Sequence, residues 1–308
     1  MRILVTGAAG FIGSNYVHYL LEHTDDIEVI SLDALTYAGD KINLEPVLDD
    51  ERHEFVEGDI RDAELVDELV SRADVIVNFA AESHVDRSID GSAPFVSTNV
   101  EGVQVLCDAA LEADIDCFVQ ISTDEVYGEV LEGTSAEDDR LNPRNPYAAT
   151  KASADHLAYS YYVTHDLPVK ITRSSNNYGP RQHKEKLIPK MISLAKDRKE
   201  LPLYGDGTNV REWIYVRDNC RAIEEVRTSG AVGEVCNIGS GDEKTNLAVA
   251  EAILDMVGGS EDLITFVEDR PGHDYRYALD TTKIRSLGWE PEVSFDEGLK
   301  RTIDYYSN

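Results

Sequence analysis

Ile3-Leu4-Val5-Thr6-Gly7-Ala8-Ala9-Gly10-Phe11-Ile12-Gly13 reads as a short apolar strand, a turn with glycines spaced by three, and the opening of a helix that runs to about Leu21. Such a glycine motif is weak alone, because glycines also mark ordinary tight turns. Here a second apolar strand follows, Glu28 to Leu32, and it ends in Asp33, 20 residues beyond Gly13. Strand, glycine turn, helix, strand and terminal acid together make the dinucleotide-binding pattern. Gly7, Gly10 and Gly13 let a pyrophosphate approach the helix N-terminus, and Asp33 reaches the ribose hydroxyls. A carboxylate there repels a 2′-phosphate, so the expected cofactor is NAD and not NADP. The alternative reading of Asp33 is a plain turn residue.

The alternation continues outward from this unit. Glu54 to Glu57 is a strand leading into Gly58-Asp59-Ile60, with Asp59 placed to meet an adenine amine. Asp74 to Ala81 is another, whose small Ala80 and Ala81 let a dinucleotide lie against the backbone. Val100 to Ala113 has helical spacing, with Thr98 and Asn99 near its start. Cys117 to Ile121 and Val169 to Thr172 are the fifth and sixth strands. The order predicts an α/β fold, a Rossmann-type doubly wound parallel sheet. Beyond Pro180 the pattern changes to a smaller C-terminal α/β lobe for substrate. The expected division is a nucleotide domain over 1–178, with a return at about 215–240, and a substrate-binding lobe over 179–214 and 241–308.

The fifth strand runs into Ser122-Thr123-Asp124-Glu125-Val126-Tyr127-Gly128. Two acids therefore sit at the carboxyl edge of the sheet, where open α/β sheets bind their ligands. Adjacent residues of a regular strand point to opposite faces, so both acids serve one substrate only if the chain turns at Asp124. The alternative is that one acid caps a helix. Farther on, Asn-Pro-Arg-Asn-Pro signals the start of a helix from Tyr147 to about Thr164, which puts Tyr147 and Lys151 four apart on one face. A tyrosine with an ordinary pKa of about 10 is a poor base at neutral pH, and a nearby ammonium favours the phenolate. The same spacing also fits an exposed helix face.

The chain carries 59 Asp plus Glu against 29 Lys plus Arg, a formal net charge of -30. A surface so anionic excludes nucleic acid as a partner. The acids are dispersed, which resembles the surfaces of proteins from salt-loving microbes; an acidic mesophilic protein is the alternative. Cys107, Cys117, Cys220 and Cys236 lack metal-ligand spacing, so no metal is expected and a reducing cytoplasm fits. With no charged leader and no apolar run of membrane length, a soluble cytoplasmic protein without membrane association is expected.

The Gly7 to Gly13 motif, Asp33 and Tyr147-x-x-x-Lys151 resemble the extended short-chain dehydrogenase/reductase family, which acts on nucleotide sugars. More narrowly, five stretches resemble its dTDP-glucose 4,6-dehydratase branch: Leu35-Thr36-Tyr37-Ala38-Gly39, Ala81 to Ser88, Thr123 to Gly128, Ser175 to Pro180 and Asp269 to Asp274. The resemblance runs essentially end to end. It implies a homodimer that converts dTDP-glucose to dTDP-4-keto-6-deoxyglucose and water by C4 oxidation, C5/C6 elimination and hydride return to C6. Tyr147, helped by Thr123 and Lys151, would be the first base, Glu125 the C5 base and Asp124 the acid at the 6-hydroxyl. Around NAD the resemblance implies Phe11, Ile12, Leu35, Thr36, Ile60, Phe79, Ser83, Thr98 and Asn177. Around the nucleotide sugar it implies Ser83, His84, Asn176, Leu187, Tyr204, Asn246 and His273, with Lys186, Arg211 and Arg270 at the diphosphate. Two departures stand out: Glu212 replaces the family's usual Asp, and the stretch from Glu125 to Tyr147 is short. The rivals are a 4-epimerase or decarboxylase, which usually lack the Asp-Glu pair, and a non-catalytic NAD-sensing protein.

Overall fold

Short aliphatic runs that are buried on both faces form parallel strands, because only helices packed on either side can cover them. In the computed structural model, which describes residues 1–307, six such runs and one partly exposed edge strand, His53–Glu57, make one sheet. They are β1 (Arg2–Thr6), β2 (Glu28–Asp33), β3 (His53–Glu57), β4 (Val75–Asn78), β5 (Cys117–Thr123), β6 (Val169–Ser174) and, later in the chain, Val235–Ile238. The order is Val235–Ile238, β6, β5, β4, β1, β2, β3, and every pairing is parallel. Within β1 the side chains alternate: Ile3 and Val5 enter one apolar core with Val77, Val119 and Ile223, whereas Leu4 enters the other with Ile76, Phe118 and Ile171. The doubly wound parallel sheet expected from the sequence is present. Its reversal of order falls between β1 and β4, which opens a crevice at their carboxyl ends.

The smaller lobe has its own core of Tyr178, Met191, Trp213, Ile253, Phe295 and Leu299. Its strands are β7 (Asn176–Tyr178), β8 (Leu201–Tyr204), β9 (Val210–Tyr215) and, after Val235–Ile238 as β10, β11 (Glu243–Thr245) and β12 (Ile264–Val267). Strand β9 is paired on one side with β7, parallel, and on the other with β11, antiparallel. The chain thus leaves the large sheet at Ser174, and two residues later Asn176 pairs with Trp213. The sequence reading had placed Asn176 and Asn177 in the tail of β6. They begin a second sheet instead, with β6 and β7 joined through Ser175, which sets both asparagines beside the crevice. Among the described residues no helix is long and apolar enough to cross a membrane.

Candidate active site

The turn after β1 is shaped by close backbone approach. Gly7 has φ +64°, and a Cβ there would lie 2.7 Å from the Ala80 amide nitrogen; a Cβ on Gly13 would lie 2.3 Å from the Gly7 carbonyl oxygen. Both positions therefore exclude side chains. The helix Phe11–His23 starts with no side-chain cap, leaving its first amides directed at the crevice. Asp33 closes the far side of the turn: its Oδ2 accepts from Ala9 N–H at 2.8 Å and its Oδ1 from Leu35 N–H at 2.8 Å. Beneath the floor Thr6 donates to Asn78 at 2.5 Å, and Asn78 donates to Gln120 at 2.8 Å, so β1, β4 and β5 are tied by a buried polar row.

β5 ends at Thr123 and the chain turns at once into a short 3-10 helix, Asp124–Tyr127. Thr123 is the cap of this turn, accepting from Glu125 N–H at 3.3 Å through Oγ1. The acids are therefore not caps, and the turn at Asp124 lets both line the same crevice. Asp124 is buried, with Oδ1 accepting from Thr123 Oγ1 at 3.1 Å and Oδ2 without a protein partner. Burial, then the neighbouring Glu125 and Glu212, push its carboxyl well above the ordinary range, which favours its protonated form. Glu125 is half-buried and accepts from Asn145 Nδ2 at 3.1 Å.

The helix Pro146–His165 begins as its sequence dictates: Pro146 occupies the first position and Asn145 caps Ala148 N–H at 2.8 Å. Tyr147 N–H is taken by Ser88 Oγ at 3.2 Å. Tyr147 and Lys151 both face the crevice, and both are buried rather than on an exposed helix face. Lys151 donates to Ile121 O at 2.5 Å; burial lowers its ammonium to about 8, against an upward pull from Asp155. The Tyr147 phenol is pushed up, first by burial and then by Glu125 and Asp124, while Thr123 pulls it down. A phenolate favoured by Lys151 was the sequence expectation. The main influences on the phenol in the protein alone are desolvation and the two acids, all upward.

These groups line one cavity of about 370 Å³ over the carboxyl ends of β1, β4, β5 and β6. The sequence matches the GDP-mannose 4,6 dehydratase family over residues 4–302. The chain belongs to that family. It is 66% identical to the low-salt glycan biosynthesis protein Agl12 of Haloferax volcanii, over 99% of this chain and 98% of that one. It is 51% identical to a dTDP-glucose 4,6-dehydratase of Streptomyces niveus, over 99% of this chain and 93% of the other. Among solved structures, the dTDP-glucose 4,6-dehydratase DesIV of Streptomyces venezuelae, with NAD and TYD bound, superposes with a TM-score of 0.97. That match has 50% identity and covers 100% of this chain and 97% of the other.

The cavity of this family member suits a dinucleotide. The Gly7–Gly13 turn leaves room against the backbone, Asp33 and Thr36 stand at one end, and Phe11, Ile12, Ile60, Phe79, Ala80, Ala81 and Thr98 line the walls. Buried polar atoms with no protein partner, including Ser122 Oγ, Ser175 Oγ, Asn176 Oδ1 and Asn177 Oδ1, point to groups that a bound molecule must satisfy. Asp59 and Gly10 are on the lining too, but the Asp59 carboxylate is already held by Arg61 at 2.5 Å rather than free for an adenine amine. Leu35 is not on the lining; it packs against the sheet core, and only its amide serves the site, through Asp33.

The substrate residues divide. Ser83, His84, Thr123, Asn176 and Lys186 line the cavity, Lys186 donating to Ser83 O at 2.9 Å. Leu187, Tyr204, Arg211, Asn246, Arg270 and His273 do not. Leu187 packs in the smaller lobe's core. Arg211 is fastened to the Val210, Tyr275 and Asp274 carbonyls at 2.7, 3.2 and 2.9 Å, over the Tyr277 ring, bonds that use three of the five guanidinium N–H groups. Tyr204 and Arg270 meet on Asp86, at 3.4 and 3.1 Å, and His273 stands edge-on to Tyr204 while bonding Asp269 at 2.6 Å. Glu212 bonds the Gly241 and Leu279 amides at 2.8 and 3.1 Å, which makes it a backbone tie. Sequence reasoning missed Asn145 as more than a helix start. It also missed the role of Asn99, which holds both backbone groups of Glu82 and donates to Thr150 from within a π-helical turn, Ser97–Glu101.

Proposed function

We propose that this chain is an NAD-dependent hydro-lyase that converts dTDP-glucose to dTDP-4-keto-6-deoxyglucose. The observation that carries the reading is the turn at Asp124, which brings its buried carboxyl and a second one, Glu125, into one crevice with Tyr147 and Lys151. The Gly7–Gly13 turn, Asp33 and Thr36 would hold NAD, which when bound would supply a hydride acceptor for C4 and a donor for C6, and a positive ring that would oppose the upward push on the Tyr147 phenol. Tyr147 takes the 4-hydroxyl proton, with Thr123 and the Lys151 ammonium favouring the anion that does so. The ketone now at C4 acidifies C5. Glu125 removes the C5 proton, and the C–H electron pair moves toward the ketone. As the C6–O bond breaks, Asp124 gives its proton to the departing hydroxyl, which leaves as water. Glu125 returns its proton to C5, and the proton held on Tyr147 passes through solvent to Asp124, which closes the cycle.

Asp33 supports the choice of NAD, and Lys186, on the cavity lining, supports a diphosphate-bearing substrate. The seven-stranded sheet would serve as the NAD domain and the smaller lobe as the nucleotide-sugar domain. A cytoplasmic homodimer working in concentrated salt completes the proposal; exposed Leu111, Tyr159 and Val163, on the helices Gly102–Glu112 and Pro146–His165, offer apolar surface to a second copy. The test is a panel of nucleotide sugars with mass detection. Loss of one water from dTDP-glucose is expected, whereas isomerisation or loss of carbon dioxide would favour the epimerase or decarboxylase. With Glu125→Gln, reduced cofactor and a 4-keto-glucose species should accumulate, with dehydration slowed by about 10²- to 10⁴-fold. Wild-type dehydration by that variant would remove Glu125 as the C5 base.

A further inference from the structure

Asn145 makes two hydrogen bonds in opposite directions. Its Oδ1 accepts from Ala148 N–H at 2.8 Å, which caps the helix carrying Tyr147 and Lys151. Because that amide can only donate, the orientation of the Asn145 carboxamide is fixed, and its NH₂ must face the other way. There it donates to Glu125 Oε2 at 3.1 Å. Among the described residues this is the one hydrogen bond made to the Glu125 carboxylate, and Asn145 itself is buried, so the contact is not a surface accident.

We propose that Asn145 is a positioning residue that fixes the direction of the Glu125 carboxylate relative to the Tyr147 helix, and so sets the base at C5. This rests on the dehydratase reading above. Glu125 sits on a single 3-10 turn and its side chain has three rotatable bonds. Holding Oε2 leaves Oε1 as the oxygen that meets the substrate. The same side chain registers the base against the helix bearing the first base, so the two proton acceptors keep one spacing. A misplacement on the order of 1 Å at such a group costs about 10²-fold in rate. The residue type matters for this role. Ser, Thr, Asp and Asn all cap helices, but of these Asn alone both accepts from Ala148 N–H and presents an N–H to a carboxylate, and Asp would present a like charge.

Capping and positioning are separable by choice of variant. Asn145→Ser and Asn145→Asp keep a capping oxygen and lose the amide donor, whereas Asn145→Ala loses both. Each is assayed for thermal stability, for the rate at which reduced cofactor appears in a single turnover with dTDP-glucose, and for exchange of the C5 proton with solvent deuterium. The expected result is that the Ser and Asp variants melt close to wild type and form reduced cofactor at near the wild-type rate, yet exchange C5 at least about 10-fold more slowly, with Asp slower than Ser. Asn145→Ala should slow both steps. Unchanged C5 exchange in the Ser and Asp variants would overturn the proposal, as would equal slowing of both steps in Asn145→Ser, which is the signature of a cap alone. Wild-type protein that forms no 4-keto-6-deoxy product would instead sink the dehydratase reading, and the role of Asn145 with it.

Discussion

The fold raises the proton affinity of the Asp124 carboxyl, with a consequence for stability as well as for proton donation. Its folded-state pKa is raised by burial and by two acids, so between its ordinary value of 3.8 and that raised value the unfolded chain releases a proton that the folded chain retains. Stability from this group therefore falls as pH rises above 3.8. Asn in its place carries no such penalty. Asp124→Asn should melt several degrees higher than wild type at pH 7, with the gain vanishing below pH 4, while dehydration is slowed. Equal melting temperatures across the pH range would show that Asp124 is ionised in the folded protein. At this scale the sequence made much of the site legible: the acid pair, Tyr147, Lys151 and Asp33 are visible as residue types after strands and at helix spacing. The sequence did not reveal the upward push on the Tyr147 phenol, because desolvation belongs to the fold and not to chain neighbours. Nor did it reveal that the Arg211 guanidinium would be tied to three backbone carbonyls.

Strands that return to one parallel sheet are written in local patterns, which is why β1 to β6 and Val235–Ile238 were recognisable. The second sheet is not local. β7 is three residues long and finds its partner only at Trp213–Tyr215, and no periodicity marks so short a strand. The segment between Gly128 and Asn145 was equally opaque. It docks on the C-terminal lobe: Arg276 donates to Val130 O and Gly133 O at 3.1 and 2.9 Å and pairs with Glu243 at 2.6 Å, while Ser135 N–H bonds Ala278 O at 2.9 Å. One side chain thus fastens the loop after Gly128 to β11. Arg276→Ala should free this loop and increase cleavage at Glu132 by a glutamate-specific protease about 10-fold, with little loss of the sheet core. An unchanged cleavage rate would mean that the backbone pairing of Ser135 holds the loop unaided.

At the scale of the whole molecule the charge decides behaviour that the fold does not. With 59 acids and 29 cations, pairing every cation would still leave 30 carboxylates unneutralised, and among the described residues the buried acids without a salt bridge are only Asp33, Asp124 and Glu212. The repulsion is spread over the surface, since the pairs that do form, such as Arg2 with Glu28 and Arg301 with Glu297, are exposed and contribute little each. Unfolding lets these charges separate, so their repulsion destabilises the compact state until salt screens it. The screening length falls from about 10 Å at 0.1 M to about 3 Å at 1 M. The melting temperature should therefore climb steeply as potassium chloride is raised from 0.1 M to about 1 M and level off beyond. Potassium chloride is the salt to use, because sulfate or phosphate would stabilise almost any protein by exclusion from its surface. Recovery of the same melting temperature in dilute buffer at about pH 4.5, where the sequence pI lies, would not replace this test, since protonation there also changes Asp124 and its neighbours. A melting temperature that is flat or falls across the potassium chloride series would mean that the surface charge is tolerated without salt, and the salt-adapted reading would be lost while the dehydratase reading stood.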